Sequence, residues 1–240
     1  MNEAFDLVPG SGDLLVVVDH ASNGVPADID LGLPAELLQR HIGWDIGAEA
    51  VGRALCRRLG CPGIFGTVSR LVIDLHREED SVALIPEASD GHPIPGNQNL
   101  TALDRTKRIT RFWRPYHHAL AALVAQHRPA LVAAVHSFTP RLETSQGPSR
   151  PWEIGILYNQ DDRAARIAIE ELRRQGFVTG DNEPYSGKLL NATMNMHAEA
   201  NGTRYLAIEI RNDLVADQAG VERWTNILES LVLHCRNKLA

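Results

Sequence analysis

The chain has 240 residues, 44 % hydrophobic and 22 % charged, with a formal net charge of −6. That composition is ordinary for a soluble globular protein with a substantial core, and the acidic balance offers no basic footprint for nucleic acid. Three cysteines (Cys56, Cys61 and Cys235) without Cys-x-x-Cys spacing argue against a disulfide framework or a cysteine-rich zinc knuckle and point to a reducing cytoplasm.

The stretch Met1–Asp6 has neither the basic nor the long apolar segment of a signal peptide. No apolar run approaches the ~20 residues of a membrane span. The first strand is expected at Leu14–Val18 and leads to Asp19-His20; a turn-rich stretch follows to Pro34. From about Trp44 to Leu59 the apolar positions Ile46, Ala50, Val51, Ala54, Leu55 and Leu59 predict a helix with one buried face, stopped by Gly60. Ile64–Val68 and Leu71–Leu75 read as strands. Glu78–Asn99 has no period and reads as a long loop. Thr101–His127 is expected to be one long helix, followed by a strand, Ala130–Val135, that delivers His136-Ser137. A strand at Glu153–Tyr158 and a helix from Asp161 to about Gln175 come next, then an irregular stretch, Asp181–Gly202. The strand Tyr205–Ile208 delivers Glu209, and an amphipathic helix through Trp224, Leu228 and Val232 closes the chain.

Strand–helix alternation predicts one α/β domain over residues 1–240, with a mixed, mainly parallel central sheet and helices on both faces. Neither Gly-x-Gly-x-x-Gly nor a P-loop pattern occurs, so no nucleotide site is indicated. Such sheets place ligands at the carboxyl ends of their strands. Two imidazoles and a carboxylate delivered there, His20, His136 and Glu209, resemble parts of a hydrolytic metal site. Asp45 at the next helix start is the candidate third ligand, with Asn23 and Glu49 as alternatives. Either a helix-start carboxylate or a ligand explains it. Glu209, an acid inside an apolar strand, is either paired with Arg70 or Arg211 or acts as general base. Ser69-Arg70-Leu71-Val72-Ile73-Asp74-Leu75-His76-Arg77 holds either an interior Asp74–arginine pair or a guanidinium fork for a substrate carboxylate.

Taken in order, Asp19-His20-Ala21-Ser22-Asn23, Trp44-Asp45, Ser69-Arg70-x-x-x-Asp74-x-x-Arg77, His136-Ser137, Asn182-x-Pro184-Tyr185-Ser186-Gly187 and Glu209-Ile210-Arg211 resemble the N-formylglutamate amidohydrolase family. The resemblance implies a zinc-carboxypeptidase-like fold and hydrolysis of N-formyl-L-glutamate to formate and glutamate. It maps His20, Asp45 and His136 onto ligands of Zn2+ (or another divalent ion) and Glu209 onto the base. His-Ala-Ser-Asn stands where better-known members resemble His-Ser-Gly, and Leu75-His76-Arg77 where they resemble Leu-Asn-Arg, so the chain reads as a divergent branch. The expected substrate is a small N-acyl amino acid with a free carboxylate, bound by Arg70, Arg77 or Arg211, with Ser137, Asn23, Tyr185 and His197 as further contacts. His41 and His76 are candidates for the second layer and for substrate contact. A binding module without catalysis on the same fold is the alternative. A serine hydrolase using Ser137 is weaker, because no Gly-x-Ser-x-Gly elbow is present.

Overall fold

The computed structural model describes residues 4–240. The first three residues of the N-terminal stretch read above, Met1–Glu3, lie outside it. In chain order the regular elements are β1 (Phe5–Val8), β2 (Leu14–Val18), α1 (Ala35–Leu38), α2 (Ala48–Leu59), β3 (Gly63–Gly66), β4 (Ala88–Ser89) and β5 (His92–Pro93). They continue with α3 (Ala102–Arg108), α4 (Arg114–His127), β6 (Leu131–Phe138), β7 (Ile154–Leu157), α5 (Arg163–Arg174), β8 (Thr179–Asp181), α6 (Ala192–His197), β9 (Tyr205–Arg211) and α7 (Gln218–Leu239).

Seven strands form one sheet in the order β1-β3-β2-β6-β9-β7-β8. The central strands β3, β2, β6 and β9 are parallel, β1 and β7 join antiparallel, and β8 is parallel to β7. Parallel strands covered on both faces are apolar throughout, and every residue of β2 and β6 is buried. Alternate residues serve opposite layers. Val16 and Val18 join a core completed by Trp224, Leu228 and Leu231 of α7, and Leu15 and Val17 join one with Phe112, Tyr116 and Leu120. Among the described residues no helix is long and apolar enough to cross a membrane.

After β2 the chain moves outward through α2 to β3, then returns to lay β6 on the other side of β2. The order therefore reverses between β2 and β6, which opens a crevice at their carboxyl ends. β2 stops at Val18, whereas β6 runs on to Phe138 and β9 to Arg211, with His136 level with Glu209 across the ladder. These two residues thus stand inside their strands; β2 ends short of His136 on one side of β6, while Glu209 is flanked by β6 and β7.

Several local expectations change. Leu71–Leu75 is a buried run of turns rather than a strand, with the Val72 and Arg77 amides donating to Ser69 and Asp74 carbonyls. A period of two would send Arg70 and Arg77 to opposite faces; the turns let Arg70, Asp74 and Arg77 gather. The helix placed from Trp44 begins at Ala48, after Gly47 at φ 82°. Residues 44–46 are instead held to the turn after β2 by the Asp45 amide donating to His20 O at 3.0 Å. Thr101–His127 divides into α3, a π-helical turn over Ile109–Trp113, and α4. The stretch 78–99 contains the β4–β5 hairpin and is fastened by Asn97 Nδ2, which donates to Leu71 O and Pro86 O, both at 2.7 Å. The stretch 181–202 contains α6.

Candidate active site

Five separate segments meet in the crevice. The turn that leaves β2 supplies Asp19 and His20, the turn before α2 supplies Asp45, the buried turns supply Arg70, Asp74 and His76, and β6 and β9 supply His136 and Glu209. Asp45 Oδ2 lies 3.3 Å from His20 Nδ1 and 2.9 Å from His136 Nδ1. The outer nitrogen of each imidazole faces another carboxylate: His20 Nε2 is 2.6 Å from Asp74 Oδ1, and His136 Nε2 is 3.4 Å from Asp19 Oδ2. Arg70 joins the two halves, donating from Nη1 to Asp45 Oδ1 at 3.2 Å and from Nη2 to Asp74 Oδ2 at 2.9 Å. Behind them Tyr116 Oη donates to Asp19 Oδ1 at 2.6 Å. His76 Nδ1 sits 3.0 Å from Asp19 Oδ2 and 2.9 Å from Thr193 Oγ1.

The charges are set by competition between burial and neighbours. Burial alone would raise the Asp45 carboxyl, but the His20 charge, hydrogen bonds from His136 and His20, and Arg70 hold it well below the carboxylate range. Asp74 behaves alike, with Arg70 and His20 outweighing its burial. Glu209 goes the other way: burial, strengthened by Asp45 and opposed by the His136, Arg70 and His20 charges, pushes it up to about 7. Its Oε2 is buried with no hydrogen-bond partner among the described residues.

This donor set suits a divalent cation. The facing atoms of His20, Asp45 and His136 all lie within 4.8 Å of one another. Metal-bound histidines characteristically direct their second ring nitrogen at a carboxylate or carbonyl, which fixes the tautomer that leaves the other nitrogen as donor. Asp74 and Asp19 occupy those positions here. His136 Nε2 and Asp19 Oδ2 are also both buried without a well-formed hydrogen bond.

The sequence profile of the N-formylglutamate amidohydrolase family matches residues 12–216. The chain belongs to the N-formylglutamate amidohydrolase family. The structure of gene product Atu2144 from Agrobacterium tumefaciens is 31 % identical, with a TM-score of 0.93 over 98 % of this chain and 96 % of that one. The N-formylglutamate amidohydrolase from Ralstonia eutropha JMP134 shares the fold at 22 % identity, with a TM-score of 0.73 over 99 % of this chain and 98 % of that one. No functionally curated protein matches the chain in sequence.

Within this amidohydrolase family fold, the crevice opens into a cavity of about 570 Å3 lined by His20, Asp45, Arg70, Arg77, His136, Ser137, Tyr185 and Glu209. Asn23, Glu49, Arg211 and His197 are not among the lining residues. Asn23 donates from Nδ2 to Leu38 O at 3.2 Å, pinning a loop. Glu49 is in the first turn of α2, where it accepts from Arg53 Nε at 2.8 Å. Arg211 turns to Asp213, with Nε 2.8 Å from Oδ1. His197 stacks on His117 beneath the site, its Nε2 2.8 Å from His117 Nδ1. Ser137 donates from Oγ to Ile46 O at 2.8 Å, and its amide points to Asp45 Oδ2 at 3.4 Å, so it braces the acid and has, among the described residues, no histidine partner for a nucleophilic role. His76 lines the cavity, as does His41, which pairs with Asp90 at 2.9 Å. Sequence reasoning missed the orienting roles of Asp19, Tyr116 and Thr193. Asp19 carried a signal, being an acid directly after a fully apolar strand.

Proposed function

We propose that this amidohydrolase is metal-dependent and cleaves the acyl amide of an N-acyl amino acid, above all an N-formyl one, releasing formate and the free amino acid. The observation that carries the reading is the convergence of His20 Nδ1, Asp45 Oδ2 and His136 Nδ1 next to the unpartnered carboxyl of Glu209. His20, Asp45 and His136 would hold the ion, zinc being the best fit to two imidazoles and a carboxylate. When bound, such an ion polarises an acyl oxygen and lowers the pKa of a water from 15.7 to roughly 7.

The protein's own groups perform the proton transfers. Glu209 accepts a proton from the attacking water as the water oxygen bonds to the acyl carbon and the carbonyl electron pair shifts onto its oxygen. As that pair returns and the C–N bond breaks, Glu209 delivers the proton to the leaving nitrogen. Burial pushes this carboxyl up from the ordinary carboxylate range, the direction that suits a group that must both take and return a proton. Arg77, on the cavity wall, receives the substrate carboxylate, and Arg70 keeps Asp45 and Asp74 in place. The site draws on segments from β2 to β9, so the catalytic unit is read as one domain spanning the chain. The three buried free thiols favour a reducing, cytoplasmic setting.

Glu209→Gln tests the assignment. Turnover of N-formyl amino acids is expected to fall about 10²–10⁴-fold, with one equivalent of zinc retained by elemental analysis. Undiminished turnover removes Glu209 from the chemistry, and a wild-type chain that binds no divalent ion and hydrolyses nothing after zinc addition ends the reading.

A further inference from the structure

The cavity wall divides sharply by charge. Among the described residues, its permanently cationic side chains are Arg70 and Arg77. Arg70 is already spent on two carboxylates, at 3.2 Å from Asp45 and 2.9 Å from Asp74. Arg77 is only loosely held, with Nη1 3.4 Å from His76 O and Nε 4.0 Å from Asp74 Oδ2. One guanidinium therefore has donors to spare, and its fork fits one carboxylate.

Away from the catalytic groups the wall combines a set of apolar side chains with the uncharged Ser89, Thr139, Thr144 and Tyr185. Ala83, Pro86 and Ala88 come from the segment entering β4, Leu142 from the loop after β6, Leu157 from the end of β7, and Leu190 from the turn before α6. The same wall carries His41 and Asp90, whose side chains lie 2.9 Å apart. Asp90 also accepts from the Glu143 and Thr144 amides at 2.7 and 3.1 Å and from the Thr144 hydroxyl at 2.7 Å. A second substrate carboxylate placed here would meet carbon, neutral hydroxyls and the Asp90 carboxylate, with no further lysine or arginine among the lining residues. Leaving such a charge unpaired is costly. An uncharged aliphatic or aromatic group would instead remove apolar surface from water on both sides.

We infer that the substrate carries one carboxylate, taken by Arg77, and an uncharged apolar side chain seated against Ala83, Pro86, Leu142 and Leu190, rather than the acidic side chain of glutamate. The inference rests on the amidohydrolase reading above and specifies its substrate class.

The test is a set of initial rates for the zinc-loaded full chain on N-formyl-L-leucine, N-formyl-L-phenylalanine, N-formyl-L-glutamate and N-formyl-L-aspartate, followed by release of free amine. The value of kcat/KM is expected to be at least about tenfold higher for the leucine or phenylalanine compound than for glutamate. Leu142→Arg, which adds a cation to the apolar wall, is expected to narrow or reverse that ratio. A wild-type preference for glutamate, or no preference, overturns the side-chain inference and leaves the amidohydrolase reading standing. Failure to turn over any of the four removes the reading itself. Calorimetric titration of the same four compounds then decides selectivity separately: tighter binding of the apolar pair supports the inference, and equal or tighter binding of the acidic pair overturns it.

Discussion

Asp74 shows how much one carboxylate can organise. Its Oδ1 faces His20 Nε2 at 2.6 Å and accepts the His76 amide at 2.9 Å, while Oδ2 accepts from Arg70 at 2.9 Å. The sequence pattern pointed to an ion pair with an arginine, and that pair exists. The imidazole contact was invisible, because 54 positions separate Asp74 from His20 and no local period links them. Asp74→Asn keeps the side chain's shape but removes the charge that fixes the His20 tautomer. Zinc affinity, measured by competition with a chromogenic chelator, is expected to fall about 10–100-fold with the thermal transition still cooperative. Unchanged affinity would mean that His20 does not depend on this partner. Arg77 and Tyr185 line the cavity, whereas Arg211, from the same set of motifs, and His197, singled out by its asparagine neighbours, turn elsewhere, because sequence surroundings do not reveal where a side chain turns.

At the scale of elements, the link between α4 and α6 carries its own pH dependence. His117 is held down to about 3, chiefly by burial and the neighbouring His197, and His197 to about 4 by burial. Both are therefore neutral in the folded chain near neutrality, with His117 Nε2 3.0 Å from Leu75 O behind the site. The unfolded chain binds protons at both positions below about 6.5. Their contribution is present in full above that value and is lost as pH falls toward 4. Between pH 6.5 and 5 the loss is roughly 3 kcal/mol for the two groups together. In urea titrations across that range, His197→Gln is expected to flatten the pH slope of unfolding free energy; parallel slopes for variant and wild type would refute the account. Among the elements themselves, β2, β6 and β9 were legible because strands buried on both faces leave unbroken apolar runs. The segment 71–75 has such a run and is not a strand, since burial alone does not distinguish a ladder from packed turns. The short strands β1 and β8, of four and three residues, offered too little pattern to read.

Across the whole molecule, the site spans the reversal in strand order and ties β2, β6 and β9 to the turns before α2 and after β3. An ion bound at His20, Asp45 and His136 would bridge those segments only in the folded state. At a free zinc concentration of 100 Kd it adds about 2.7 kcal/mol, which for a chain of this size raises Tm by roughly 5–10 °C. A strong chelator is expected to abolish the rise together with activity, and His136→Ala to show neither response by differential scanning calorimetry. An identical Tm with and without zinc would count against this geometry.

By itself the sequence determined the α/β class, the buried central strands, and the residue types His20, Asp45, His136 and Glu209, because burial, period and motif order are written locally along the chain. Only the tertiary structure decided which ring nitrogen faces which carboxylate, that Arg70 is occupied while Arg77 has donors to spare, and that apolar side chains line much of the cavity. Those outcomes depend on strand order and on turns that bring residues 20, 45, 74, 136 and 209 together, and convergence over such separations follows from packing rather than from any local pattern.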